Sequence, residues 1–349
     1  MRILFIIKKR ADYCDEYGPG RVYSDCLGGL YNSALFVVQM LNQHGMVAEL
    51  VQVTDNNDID REVTEFKPDI AVIEALWVVP SKFEILAQLH PSVRWVVRIH
   101  SEVPFLAVEG VAIEWIKEYL NYDNVTLASN SERATLDLRA IVTQRFGDWM
   151  ANDKVSYLPN WYPLNQAKKQ KPEHGILNIA CFGAIRPLKN QLIQALAAIE
   201  FADRTRKVLH FHINGTRCEQ HGENVLRNLR ALFAGTAHTL IEHGWETHDQ
   251  FLVTMAAMDA SMAVSFTETF NITAADAVAT KVPLVASSEV TWASPLCFAD
   301  PTNAPAMVAV LDKVTNSPQK SAILAANLEN LEQYDNASVR TWLAYLKKV

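Results

Sequence analysis

The sequence lacks the patterns that mark several common protein classes. Its five cysteines, at positions 14, 26, 181, 218 and 297, include no Cys-x-x-Cys pair and are odd in number. That fits neither a disulfide framework nor a structural zinc site, so a reducing cytoplasm is expected, with the thiols behaving as small hydrophobes. No apolar run reaches the roughly 18 residues a membrane span needs. The opening Arg2-Ile3-Leu4-Phe5-Ile6-Ile7 is also too short for a signal-peptide core and reads as a buried first strand. No Gly-x-Ser-x-Gly elbow and no Gly-Lys-Ser phosphate loop is present, which removes two common hydrolase readings. Positive charge is not in excess either: the net charge is -7, and residues 1–165 hold 15 Lys/Arg against 22 Asp/Glu while residues 166–349 hold 17 of each. A duplex-coating protein needs a broad basic face, so this balance argues against non-specific nucleic-acid binding.

What is present is a globular composition, 49% hydrophobic and 20% charged over 349 residues, enough for two domains of ordinary size. Short apolar runs alternate with helix-like segments: Ile3–Ile7, Val47–Val53, Ile70–Ile73, Trp95–Ile99 and Val125–Ala128, then Ile179–Phe182, Val208–Ile213, Ser261–Phe266 and Pro283–Ala286. This alternation predicts parallel sheets covered by helices. After Gly28-Gly29, the residues Leu30, Ala34, Val37, Val38 and Leu41 share one side of a helix, which Gly45 stops before the second strand. Around 159–175 proline, lysine and glutamine replace the apolar periodicity, and the strand–turn–helix pattern then restarts. The expected fold is α/β, with two Rossmann-like domains facing across a cleft: residues 1–165, residues 166–325, and a C-terminal helix over 326–349 packing back toward the first domain.

Two segments carry chemistry. In Cys181-Phe182-Gly183-Ala184-Ile185-Arg186-Pro187-Leu188-Lys189-Asn190 a strand ends in Gly183, and two cations follow three residues apart at a helix start. Arg186 and Lys189 beside unused backbone N–H groups suit a diphosphate. In Ser265-Phe266-Thr267-Glu268-Thr269-Phe270-Asn271-Ile272-Thr273-Ala274-Ala275-Asp276 one acid lies in the loop leaving a strand and another inside the next helix, with seven residues between. Carboxylates accept paired hydrogen bonds from sugar hydroxyls.

These segments, in their order and spacing, resemble the donor domain of GT-B glycosyltransferases of family four, whose hallmark is a Glu-x7-Glu motif preceded by a Gly-x-x-x-Pro-x-Lys-Asn-like turn. Gly28-Gly29 resembles that family's N-terminal glycine loop, Ser129-Asn130-Ser131 its Asn-Ser turn, and Tyr157-Leu158-Pro159-Asn160 its interdomain segment. His243-Gly244-Trp245 and Met258-Asp259 resemble the Gly-Trp or Gly-Phe turn and the Ala-Asp pair that precede the acidic motif. By this resemblance Arg186 and Lys189 neutralise the donor diphosphate, Glu268 binds sugar hydroxyls, Asp276 holds the ribose, and the backbone of Phe270, Asn271 and Ile272 meets the phosphates. His100 matches a histidine near the reacting sugar, with Glu102 as an acceptor-side candidate. Asp276 stands where glutamate is usual, while Thr269, Asn271 and Lys281 replace glycines.

The resemblance implies a retaining, metal-independent transfer from a nucleoside-diphosphate sugar, UDP- or GDP-linked, with no cofactor. The acceptor is expected to bind residues 1–165, through Lys8–Gly29 with its three tyrosines or through Glu74–Pro80 with Trp77. A glycan or small carbohydrate is the leading acceptor, and a hydroxymethylated base in DNA is the second. A nucleotide-sugar epimerase and a non-catalytic nucleotide-sugar binding protein are the other classes carried. The run Asp55–Asp60 reads as a capped, solvated turn rather than a metal site, and His210 and His212 read as strand residues without metal.

Overall fold

The computed structural model describes residues 1–9, 28–164, 175–244 and 246–348. Most of the Lys8–Gly29 stretch, part of the 159–175 break and Trp245 lie outside them. Two compact units divide the chain, one built from 1–9, 28–162 and 335–348, the other from 163 to 334.

The first unit holds six parallel strands, β1 (Arg2–Lys8), β2 (Val47–Val53), β3 (Ile70–Glu74), β4 (Arg94–Ile99), β5 (Val125–Ser129) and β6 (Val155–Tyr157), in the order β2-β1-β3-β4-β5-β6. Successive side chains point to opposite faces of a strand, and both faces are apolar here. Ile3, Phe5, Ile70, Val72 and Val96 pack under the helix Gly29–Gln43, together with Trp342 and Leu346 of the long helix Lys320–Lys348. Leu4, Ile6, Ala71, Ile73, Trp95 and Val97 face the other way, into a core shared with the helices Asp58–Phe66, Lys82–Leu89, Ala112–Tyr119 and Glu132–Lys154. A sheet covered on both sides needs near-continuous hydrophobic strands, which is what made these runs readable.

The second unit repeats the scheme with β7 (Ile176–Ala180), β8 (Val208–Ile213), β9 (Thr239–Glu242), β10 (Ala260–Ala263) and β11 (Leu284–Ala286), all parallel in the order β11-β10-β7-β8-β9. The strand expected at Ile179–Phe182 starts earlier and ends at Ala180, and the one expected over Ser261–Phe266 stops at Ala263. β6 and β9 were not foreseen: both are short and lie at sheet edges, β6 burying only Val155 fully and β9 none of its residues. Among the described residues no helix is long and apolar enough to cross a membrane.

Candidate active site

The carboxyl ends of β7, β8 and β10 converge on the residues singled out in the second unit. Chain leaving β7 turns at Gly183, whose φ of 119° suits glycine, and whose N–H is held by Asn214 Oδ1 at 2.8 Å. A short 3-10 turn, Pro187–Lys189, follows and ends at Asn190 in the left-handed region. Asn190 is buried and donates to the carbonyls of Val264 and Pro301 at 3.0 and 2.8 Å. Gln194 ties Lys189 O to the Val264 N–H. The loop bearing Arg186 and Lys189 is thereby fastened to the end of β10, where the acidic motif begins.

That fastening brings Lys189 Nζ to 2.5 Å from Glu268 Oε1. Asn271 Nδ2 donates to the same oxygen at 3.0 Å, while its Oδ1 accepts from the Ala274 N–H and so caps the helix Ile272–Ala279. The N–H groups of Ile272 and Thr273 in that first turn have no carbonyl within the helix to meet. Burial, the largest influence, pulls Lys189 below the usual lysine value; Glu268 opposes this, and the charges of Arg186 and Arg217 add to the lowering. Arg186 Nη1 lies 3.5 Å from Glu219 Oε2, and Arg217 binds the other oxygen of Glu219 through Nε and Nη2 at 2.9 and 2.7 Å. Arg217 was missed from sequence. It sits in the loop after β8, far from either motif in the chain, and only the pairing of Ile185 N with Arg217 O at 2.8 Å brings it alongside. Gly222 is another such residue: a Cβ there would fall 1.9 Å from Ile185 O.

Asp276 lies inside the helix Ile272–Ala279. It is buried and accepts from His248 Nε2 at 2.8 Å. Burial tends to lower His248, but the hydrogen bond and charge of Asp276 outweigh it and raise its pKa. Phe270 is buried against Trp292, whose indole N–H donates to the Phe270 carbonyl at 2.6 Å. Asn271 and Lys281, both in positions where glycine was expected, take positive φ of 63° and 60°; the backbone shape that glycine permits is kept without glycine.

In the first unit, Gly28 caps and Gly29 opens the helix Gly29–Gln43. His100 follows β4 and hydrogen-bonds through Nε2 to Glu74 Oε2, at the end of β3. Arg98 completes the cluster, reaching Glu74 at 3.0 Å, Asn160 Oδ1 at 2.6 Å and Leu158 O at 2.9 Å. Burial, chiefly, lowers the His100 pKa, Glu74 opposing and Arg98 assisting. Glu102 is buried and serves the fold: it accepts from Ser131 Oγ at 2.6 Å and Arg133 Nε at 3.3 Å. Trp77 gives its indole N–H to Glu74 O and packs on the core. The Asp55–Asp60 turn is held by Asp58, whose carboxylate accepts from the Thr54 and Asp55 N–H groups; the expected helix cap is replaced by this loop closure, since Asn57 makes no side-chain cap. His212 stacks on His243 and lies between it and Asn178. No cluster of three or more metal-type ligands occurs among the described residues.

The family model described as Family 4 Glycosyltransferase in conflict systems matches residues 137–341, more than half of the chain. The chain belongs to this family. The glycosyltransferase also matches solved structures. The OtsA apo structure aligns over 100% of both chains at 13% identity and a TM-score of 0.72. The sucrose-phosphate synthase from Thermosynechococcus elongatus aligns over 99% of both at 13% identity and 0.69. A UDP-forming α,α-trehalose-phosphate synthase from Burkholderia xenovorans covers 84% of this chain and 77% of its own at 15% identity and 0.65. At these identities the likeness speaks to the fold, and with two parallel-sheet units it makes the glycosyltransferase a GT-B protein. None of the curated proteins compared with it matches.

Proposed function

We propose that this glycosyltransferase moves a sugar from a nucleoside-diphosphate donor to a carbohydrate hydroxyl with retention and without a metal ion. The observation that carries the reading is the Lys189–Glu268 pair, held between two loops and flanked by Arg186 and Arg217. As the donor enters, its diphosphate takes over Lys189 and its sugar hydroxyls take over Glu268, so each partner exchanges one polar contact for another. When the bond from the anomeric carbon to the β-phosphate oxygen breaks, negative charge grows on that phosphate. Fixed cations and the helix N–H groups at Ile272 and Thr273 stabilise that charge more in the transition state than before it. The acceptor oxygen forms its bond on the face the phosphate leaves, and its hydroxyl proton passes to the departing phosphate oxygen. Lys189, Arg186 and Arg217 supply the positive charge that a metal would otherwise bring. Asp276, held by His248, is the carboxylate assigned to the ribose, and His100 is assigned to the sugar.

The test is a panel of UDP- and GDP-sugars incubated with the enzyme and mixed acceptors in EDTA, with products read by mass spectrometry and anomeric configuration by NMR. Retained configuration and undiminished turnover in chelator are expected. Inversion or loss of turnover that magnesium restores refutes the corresponding part. Interconversion of donors without transfer points to an epimerase, and binding without turnover to a non-catalytic protein. Hydroxymethylated DNA belongs in the acceptor panel because the family's description sets it in conflict systems; transfer to it alone replaces the carbohydrate reading.

A further inference from the structure

We propose that the first unit carries a second ligand site, for the phosphate of a phosphorylated carbohydrate, separate from the donor pocket. An open cavity of about 950 Å³ lies at the amino-terminal ends of β4 and β5, beside the edge strand β6 and the last turn of the helix Lys320–Lys348. Four cations line it, Arg94, Arg139, Lys154 and Lys348, against two carboxylates, Asp123 and Asp153. Among the described residues, no carboxylate forms an ion pair with any of the four. Lys154 is the most constrained. It is 8% exposed, and its ammonium donates only to the carbonyls of Asp123 and Val125. Arg139 likewise gives Nε and Nη2 to Val155 O, at 3.3 and 3.1 Å.

Carbonyl dipoles solvate a cation without cancelling its charge, and a buried charge lacking a counter-ion is costly. The same unit treats its other buried cation differently, setting Arg98 against Glu74. The cavity is thus a positive hollow in the acidic half of the chain, with one buried cation that no described carboxylate pairs. Its remaining lining selects the kind of anion. Arginine forks match phosphate oxygens, Tyr157 offers a ring face, and Asn124, whose Nδ2 is given to Val93 O at 3.2 Å, keeps its side-chain oxygen for a sugar hydroxyl. The volume is that of a small-molecule site. Position separates it from the chemistry: Arg94 opens β4 and His100 follows its far end, roughly 20 Å away at about 3.3 Å per residue. The phosphate is held there either on a free sugar phosphate or within a longer glycan.

Calorimetric titration of the full chain with glucose 6-phosphate and with pyrophosphate tests this, on the wild type, Arg139→Gln, the double variant Arg94→Gln/Lys348→Gln, and Lys189→Ala. Glucose 6-phosphate should bind the wild type and Lys189→Ala alike, and about tenfold more weakly in the double variant. Both of that variant's substitutions are at exposed positions, so its unfolding midpoint should stay at the wild-type value, and it carries the test should Arg139→Gln fold poorly. Pyrophosphate binding that is lost in Lys189→Ala and kept in the double variant reports the donor pocket, so the two readings fail separately. A phosphate-bearing glycan binding about tenfold tighter than the free sugar phosphate assigns the site to a polymer, and equal affinity assigns it to the free compound. No binding of either, binding unchanged in the double variant, or a preference for an oligonucleotide over phosphorylated sugars overturns the proposal.

Discussion

Two buried ionic clusters, one in each unit, solve the same electrostatic problem in opposite ways. In the first unit Glu74 and Arg98 are both 0% exposed, and the guanidinium is further tied to Asn160 Oδ1 and the Leu158 carbonyl. In the second unit the Lys189 and Arg186 side chains keep 14% and 21% exposure where they meet Glu268 and Glu219. The first cluster is closed, and its ties join β3, β4 and the segment after β6 into one end of the sheet. The second is open enough for an incoming anion to replace a partner. Charge that must stay put is surrounded; charge that must change hands keeps a path to solvent.

The largest effect that would break this contrast is expected at Arg98. Replacing it with alanine strands the Glu74 carboxylate, and denaturant unfolding should show a loss of about 3–5 kcal/mol; a loss under about 1 kcal/mol would show the first cluster to be as exchangeable as the second. Lys189→Ala should instead leave the unfolding midpoint nearly unchanged while kcat/KM falls on the order of a hundredfold or more. Equal damage to stability would place Lys189 with the closed type. Glu268→Gln sharpens the point: with the resting pair weakened, affinity for the nucleoside diphosphate alone should rise about fivefold, equivalent to roughly 1 kcal/mol, while turnover of the sugar donor falls. Reduced affinity for both would contradict an exchange of partners.

Acid separates the units further. His100 is lowered in the folded state, chiefly by burial, so its contribution to stability is full above its unfolded value of 6.5 and is lost as pH falls below it. His248 is raised: burial works against this, but Asp276 prevails. Its contribution is full below 6.5 and is lost as pH rises through the raised folded value. Unfolding measured from pH 5 to 8 should therefore show His100→Gln removing an acid-side loss and His248→Gln removing a loss on the alkaline side. The same sign for both would end that distinction. The smallest effect is expected at Lys281, exposed and at φ 60°, where Lys281→Gly should stabilise by about 1 kcal/mol by relieving left-handed strain; destabilisation would mean the side chain has a role beyond its backbone shape.

Much of the fold was legible because a doubly covered parallel sheet writes itself as apolar runs. Val47–Val53 and Val208–Ile213 fall on the observed strands residue for residue. The runs read as Ile179–Phe182 and Ser261–Phe266 went too far because buried loop residues beyond a strand are as apolar as the strand: Phe182 and Val264 are buried without belonging to one. In the site, Arg186, Lys189 and Glu268 were visible because their spacing lies within single segments. Arg217, Glu219 and Gly222 were not, since a loop 31 or more residues further along the chain meets Ile185 and Arg186 only through sheet pairing.

By itself the sequence determined which stretches become strands, that they alternate with helices in two successive sets, and which motif residues put charge at the ends of the second set's strands. Local spacing and hydrophobic period are properties of short segments, and short segments are what a chain states directly. Only the tertiary structure decided which acid faces which cation: that Lys189 pairs with Glu268, that Asp276 is held by His248, that Glu74 and Arg98 close around His100, and that Lys154 is buried without a carboxylate. Such pairings depend on distances between strands far apart in the chain, and electrostatic energy depends on those distances and on burial, neither of which a residue's neighbours in sequence can fix.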